Sequence, residues 1–282
     1  MKSPIVTLTT DWGYRDYFVG MVKGRLYSDI PNVRVVDITH SLEPFQLSKA
    51  IFVANHACMG FPAGTIHIID ATDPRVVGQP YIVVEHNSQY YICMDNGLPR
   101  ALFGDDASHA VAINMDNYQQ AFHTFSAYDI FCPVAAKLAA GATLADIGSP
   151  HDSFFPYTPT RPVTVSNEIV GEVLKLYVIY IDEYGNAILN ITYKEFEKVC
   201  ANRKYDIIVR EMKLTSLSSG YINTNAPDSR HPVVLTVSAT GYLQIALLHN
   251  SAEQYLGLRV NDVINVRFPP NNLKAESQQL AE

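Results

Sequence analysis

Residues 5–24 read Ile5-Val6-Thr7-Leu8-Thr9-Thr10-Asp11-Trp12-Gly13-Tyr14-Arg15-Asp16-Tyr17-Phe18-Val19-Gly20-Met21-Val22-Lys23-Gly24, and this stretch decides the fold class. Its first six residues are a β-branched run, the composition of a strand. Phe18, Val22, Leu26 and Ile30 then recur every four residues, the apolar stripe of an amphipathic helix. Further out, strand-like runs lie at 33–38, 65–69, 81–85 and 90–94. Helical patterns lie at 46–59 and 133–140, the second closed by Gly141. Strands alternating with helices predict an α/β N-terminal domain, a largely parallel sheet with flanking helices.

The pattern changes after residue 150. Pro156, Pro159 and Pro162 stand among aromatics and predict an extended connector. Short strand-like runs follow at 171–182, 187–192, 205–209, 233–237, 243–248 and 262–268, with one helical pattern at 193–201. They predict a smaller, mostly antiparallel β domain, a sandwich or barrel. The expected organisation is therefore an α/β domain over 1–154, a Pro-rich connector over 155–166, a β domain over 167–268 and a polar tail over 269–282.

Composition narrows the function. At 48% apolar and 17% charged residues, the 282-residue chain is neither disordered nor fibrous. With 21 Lys+Arg against 28 Asp+Glu and a net charge of -7, it lacks the basic field that nucleic acid requires. Met1-Lys2-Ser3-Pro4 runs straight into a strand, and no apolar run is long enough to span a membrane. A soluble cytoplasmic protein without a membrane partner is expected. Cys58, Cys93, Cys132 and Cys200 are tens of residues apart and the histidines are scattered, so no metal site is expected.

In α/β folds ligands bind outside the carboxyl ends of the strands, which draws attention to Asp11. A carboxylate there presents two acceptor oxygens, enough for the two hydroxyls of a ribose diol. The plainer account has Asp11 closing a turn and Asp16 complementing the helix dipole. Tyr184-Gly185-Asn186 likewise reads as a hairpin turn, Asp182 as a solvated strand end, and Asn96-Gly97 as a turn first and a ligand contact second.

A set of ordered blocks carries a resemblance. Thr9-Thr10-Asp11-Trp12-Gly13, Asp16-Tyr17-Phe18-Val19-Gly20-Met21-Val22-Lys23-Gly24 and Val36-Asp37-Ile38-Thr39-His40 come first. Phe61-Pro62-Ala63-Gly64-Thr65-Ile66-His67, Met94-Asp95-Asn96-Gly97-Leu98 and Asp129-Ile130-Phe131-Cys132-Pro133-Val134-Ala135-Ala136 follow. Ile181-Asp182-Glu183-Tyr184-Gly185-Asn186, Gly241-Tyr242-Leu243-Gln244-Ile245-Ala246 and Leu256-Gly257-Leu258 complete the series. The chain thereby resembles the S-adenosyl-L-methionine (SAM) hydroxide adenosyltransferase family, which also contains SAM-dependent fluorinases and chlorinases. The resemblance implies an α/β domain followed by a β-barrel, a homotrimer, and SAM held between unlike domains of neighbouring subunits. It implies that Asp11 holds the ribose hydroxyls, Asp16 faces the methionine end, and Phe45 packs on the ligand. Asp182 takes the methionine ammonium, while Tyr184 and Asn186 hold the adenine. SAM is the substrate; no cofactor or metal is implied.

The implied reaction displaces L-methionine from the ribose C5′ by water or hydroxide and yields adenosine. Hydroxide-using members gather an Asp, an Arg and a His around that water, and this chain departs from them at two of the three positions. Asp73 matches the Asp, the Arg position falls at Gln79 or Pro80, and the His position is Ser126. Arg75 and His123 are both candidates to compensate. Ser126-x-x-Asp129 has the spacing of a helix capping box, although Pro133 then sits awkwardly inside the helix. A catalytically weakened SAM- or adenosine-binding protein is the alternative. A halogenase is a further one, opposed by Asp73, whose charge repels a halide, and by Ala127 where fluorinases carry a halide-contacting Ser.

Overall fold

The computed structural model describes residues 3–73, 75–118, 124–167, 171–221 and 233–269, and the chain divides into two units, Met1–Pro159 and Thr160–Glu282. In the first unit the opening run forms β1 (Ile5–Thr10), followed by α1 (Phe18–Asp29) and β2 (Arg34–Thr39). Val19, Val22 and Leu26 are the buried positions of α1. The helix stops at an extended Ile30, the conformation that the following Pro31 imposes on the residue before it. Next come α2 (Leu47–Ala57), β3 (Ile66–Asp70), β4 (Tyr81–His86), β5 (Gln89–Met94) and α3 (Leu98–Phe103). The unit ends with β6 (Ala110–Ile113), α4 (Cys132–Ala139), α5 (Leu144–Ile147) and β7 (Gly148–Pro150).

These strands make one sheet in the order β2-β1-β3-β5-β4-β6-β7. It is mixed rather than largely parallel: β2-β1, β1-β3 and β3-β5 are parallel, whereas β5-β4, β4-β6 and β6-β7 are antiparallel. The cause of the difference is a two-residue hairpin between β4 and β5. Asn87 and Ser88 both have positive φ, 50° and 58°, as a type I′ turn requires. Asn-Ser lacks the glycine that usually announces that turn, and the four-residue β6 is too short for a pattern of its own. Helices cover both faces, which is why the strands read as continuous apolar runs. Leu8, Ile68, Val83 and Ile92 pack with Val22 and Leu26 of α1 and with Val134 and Leu138 of α4. Ile69, Ile82, Val84 and Tyr91 point the other way, against Leu47, Ala50 and Ala54 of α2.

The second unit comprises β8 (Val163–Asn167), β9 (Gly171–Ile181), β10 (Ala187–Thr192), α6 (Tyr193–Cys200), β11 (Asp206–Val209), β12 (Met212–Leu214), β13 (Val233–Val237), β14 (Tyr242–Leu247), α7 (Ala252–Leu256) and β15 (Val263–Phe268). Every pairing is antiparallel, in the order β12-β11-β15-β9-β10-β14-β13 with β8 also on β9. Residues 171–175 of β9 pair with β8, and residues 178–181 with β10, so one strand changes partner and curls the sheet. Past β12, Ser218 donates its N–H to Leu235 on β13 at 2.8 Å, which brings the two edges together. The result is a nearly closed, barrel-like sheet around Leu174, Leu176, Val178, Leu189, Ile245 and Val266. The polar tail expected after residue 268 lies, from residue 270 onward, outside the described residues. Among the described residues no helix is long and apolar enough to cross a membrane.

Candidate active site

At the carboxyl ends of β1 and β3, in the first unit, lies a cleft of about 420 Å³. Asp11 and Asp70 line it together with the rings of Trp12, Phe18, Tyr81 and Phe125, and with Ala71, Thr72, Met94, Thr124 and Ser126. This is where an α/β sheet opens to a ligand. Trp12 is packed edge-on against Phe125 with ring centroids 5.0 Å apart and stacks on His40 at 5.8 Å. His40 is fully buried; its Nδ1 lies 2.6 Å from Thr10 Oγ1 and its Nε2 3.1 Å from Asp37 Oδ1. Asp37 in turn accepts from Lys23 Nζ at 2.6 Å. Burial holds the His40 pKa below the ordinary histidine value despite Asp37, so a neutral ring backs Trp12.

Both cleft carboxyls are shifted from their ordinary values. Burial raises the pKa of Asp11, opposed by backbone N–H groups of Thr72 and of Asp11 itself. Asp70 is pushed up to about 6, first by burial and then by the charge of Asp11. The indole Nε1–H of Trp12 donates to Asp70 Oδ2 at 3.0 Å and pulls the other way. Asp70 and Tyr81 carry no role in the sequence reading. The available signal was the one that singled out Asp11: a carboxylate at the exit of an apolar strand run.

Asp73 follows on the same loop, and its charge is already engaged. Arg75 donates from Nε to Oδ1 at 2.9 Å and from Nη2 to Oδ2 at 2.6 Å, and its backbone N–H reaches Oδ1 at 3.0 Å. The Arg75 guanidinium holds the Asp73 pKa below the usual carboxylate range. The Arg75 side chain is 84% exposed, so Asp73 is covered by its own loop. Ser126 makes no capping bond; its Oγ lies 2.5 Å from the Tyr81 hydroxyl. Residues Ala127–Phe131 form a π-helical turn before α4, with Pro133 in the first turn of that helix. Because the π-helical turn runs into α4 without a break, Pro133 lies inside a continuous helical segment, as the sequence predicts, and the wider turn directly before it accommodates the missing N–H. His123 lies outside the described residues.

Asn96 is buried beneath the cleft wall. Its amide donates to the Ala71 carbonyl at 2.9 Å, and its oxygen accepts from Leu98 N–H at 3.3 Å. Asp16 is exposed, and Phe45 is 63% exposed at a positive φ of 68°. A bulky residue held there indicates a locally determined, strained loop.

In the second unit, Asp182, Tyr184 and Asn186 share the β9–β10 hairpin. Asp182 Oδ1 accepts from Tyr184 N–H at 3.0 Å and Asn186 N–H at 2.9 Å, while Oδ2 accepts from the Asn186 amide at 2.9 Å. Gly185 has φ +77°, and a Cβ there would lie 2.0 Å from Ser251 Oγ, so only glycine fits. The turn borders a second cleft of about 500 Å³, lined by Tyr184, Asn186, Tyr221, Leu247, Leu248, His249 and Asn250. Tyr184 is 81% exposed, whereas Asn186 is buried.

Residues 6–148 match the N-terminal domain and residues 176–265 the C-terminal domain of the SAM hydroxide adenosyltransferases. The chain belongs to that family. Among its relatives, the (R)-S-adenosyl-L-methionine hydrolase of Methanocaldococcus jannaschii is 24% identical over 281 residues, covering 94% of this chain and 96% of the relative. A protein of the same description from Salinispora arenicola is 32% identical over 198 residues, covering 68% of this chain and 73% of the relative. An uncharacterized conserved protein from Thermotoga maritima superposes with a TM-score of 0.75 at 26% identity, covering 93% of this chain and 99% of that one.

Proposed function

We propose that this family member hydrolyses SAM to adenosine and L-methionine. The observation that supports it most directly is the cleft at the ends of β1 and β3, where Asp11 and Asp70 stand among four aromatic rings. In this reading Asp11 binds the ribose diol, and Asp16 and Phe45 meet the rest of the ligand. Asp182, Tyr184 and Asn186 take the ammonium and the adenine, and the buried Asn96 supports the wall through Ala71. Water attacks C5′, the C5′–S bond breaks, and its electron pair stays on sulfur, so a neutral thioether leaves without acid assistance. What the protein must supply is a positioned, partly desolvated water. Asp73 orients that water and accepts its proton, Arg75 supplies the guanidinium that the family keeps a few residues later, and Ser126 with Tyr81 occupies the place of the family His.

We further propose that the active form is a homotrimer, since a site shared by unlike domains implies head-to-tail contacts that close into a ring. Light scattering is expected to give three chain masses, and a monomer at micromolar concentration contradicts it. The decisive experiment incubates the protein with SAM and quantifies adenosine and methionine against the uncatalysed background. Equimolar release of both supports the hydrolase. One observation favours a second reading: both oxygens of Asp73 are occupied by Arg75 and no histidine stands at position 126. SAM binding by calorimetry without adenosine formation selects that reading, a weakened SAM- or adenosine-binding protein. A halide site is disfavoured by the two carboxyls that line the cleft, Asp11 and Asp70.

A further inference from the structure

The first cleft has a charge pattern that its hydrolytic role does not explain. Its lining holds two carboxyls and four aromatic rings, and no Lys, Arg or His among the described residues. Such a cavity lacks an internal counter-charge, and ring faces together with carboxylates favour a cation. Within SAM the permanent cation is the sulfonium, one carbon beyond the ribose. A group beside the carboxylate that holds the ribose therefore stands next to the sulfur. That group is Asp70: Trp12 fixes its Oδ2 at 3.0 Å, and no other hydrogen bond engages it among the described residues.

We propose that Asp70 is the specificity-determining counter-charge for the sulfonium, so that the cleft prefers a ligand with a positive centre at the sulfur position over its neutral thioether counterpart. The inference rests on the SAM-site reading above and adds to it a means of discharging product: once the C5′–S bond breaks, the positive charge is gone and so is this attraction. The charged and titratable groups around Asp70 are consistent with it. Asp11 follows β1; Asp73 follows β3 and is neutralised by Arg75; Tyr81 lies on β4; and Asp95 follows β5, with His151 Nε2 at 2.8 Å. The His40–Asp37–Lys23 chain is separated from Asp70 by Trp12. Burial and the charge of Asp11 hold the Asp70 proton up to about pH 6, and a cation bound beside it favours its release to solvent.

The test compares two ligands that lack a sulfonium leaving group, so turnover does not enter. Sinefungin carries an ammonium where SAM has its sulfonium, and S-adenosyl-L-homocysteine carries a neutral sulfur. Calorimetry on the full-length protein at pH 8 is expected to favour sinefungin by about tenfold, the scale of one partly solvated charge pair. The advantage is expected to shrink at pH 5. At pH 6, sinefungin binding in buffers of different ionisation enthalpy is expected to show proton release. Asp70→Asn, whose amide oxygen still accepts from Trp12, is expected to abolish the advantage while leaving S-adenosyl-L-homocysteine affinity within about twofold. A preference unchanged by both pH and substitution overturns the inference, as does an equal loss for both ligands. If the variant fails to fold, the pH and proton-release measurements on the unmodified protein decide. Failure of both ligands to bind refutes the SAM-site reading itself, whereas binding without charge preference refutes only the role of Asp70.

Discussion

The two clefts use carboxylates in opposite ways. In the α/β unit, Asp11 and Asp70 emerge from neighbouring parallel strands and line a cleft, with raised pKa values because burial outweighs the few N–H donors they meet and, for Asp70, the charge of Asp11 adds to it. In the barrel unit, Asp182 spends both oxygens on its own hairpin. Parallel strand ends project side chains that have no sequence neighbour to satisfy them, whereas a tight antiparallel turn brings donors within two to four residues. Local satisfaction stabilises a fold, and an unsatisfied group is what a ligand can use. Asp73 cuts across this division. It sits in the α/β unit, yet its Oδ1 accepts an N–H two residues on, as Asp182 does.

Asp73 therefore offers the hardest test of the comparison. If the engaged carboxylate still orients water, Asp73→Asn lowers adenosine formation by about 10²-fold, the scale of a lost general base, with SAM affinity nearly unchanged. An unaltered rate places the chemistry elsewhere and breaks the catalytic proposal.

The next test is a stability profile. The folded chain holds the Asp70 proton up to about 6, while the unfolded chain releases it near 3.8. Between those values the native state binds more protons, so stability falls as pH rises through the window. The expected change is about 2 kcal/mol, allowing for water in the cleft, and Asp70→Asn flattens it in denaturant titrations. Asp73 contributes with the opposite sign: its lowered pKa gives stability that is lost as pH falls through the folded value.

A pair of alanine substitutions separates the two kinds of carboxylate. Asp11→Ala is expected to weaken adenosine binding by about 1.5–3 kcal/mol with a smaller loss in urea stability than Asp182→Ala. Asp182→Ala is expected to cost about 2 kcal/mol of unfolding free energy, because three N–H donors lose their acceptor. Equal stability losses for both contradict the distinction. The smallest expected effect is that of Tyr81→Phe, which removes the hydroxyl partner of Ser126 at a cost of about 0.5–1.5 kcal/mol by thermal melting.

Much of this was legible in the chain. The β-branched run before Asp11, the four-residue spacing from Phe18 to Ile30 and the strand runs of the second half translate directly into elements, because burial of one face imposes a local period. Asp11 and the Tyr184-Gly185-Asn186 turn stood out for the same reason: strand exits and glycine turns are local events. The sheet's mixed character did not, since it depends on Asn87 and Ser88 adopting left-handed backbone without glycine and on the short β6 finding β4 across sequence. The site's electrostatics were equally out of reach. Asp70 became a partner of Asp11 through the parallel pairing of β1 with β3, and Ser126 met Tyr81 from 45 residues away. Sequence determined which residues could carry charge, hydroxyl or ring, because those are properties of a single side chain. Only the tertiary structure decided which carboxylates remain unsatisfied, because that depends on every donor the fold brings near.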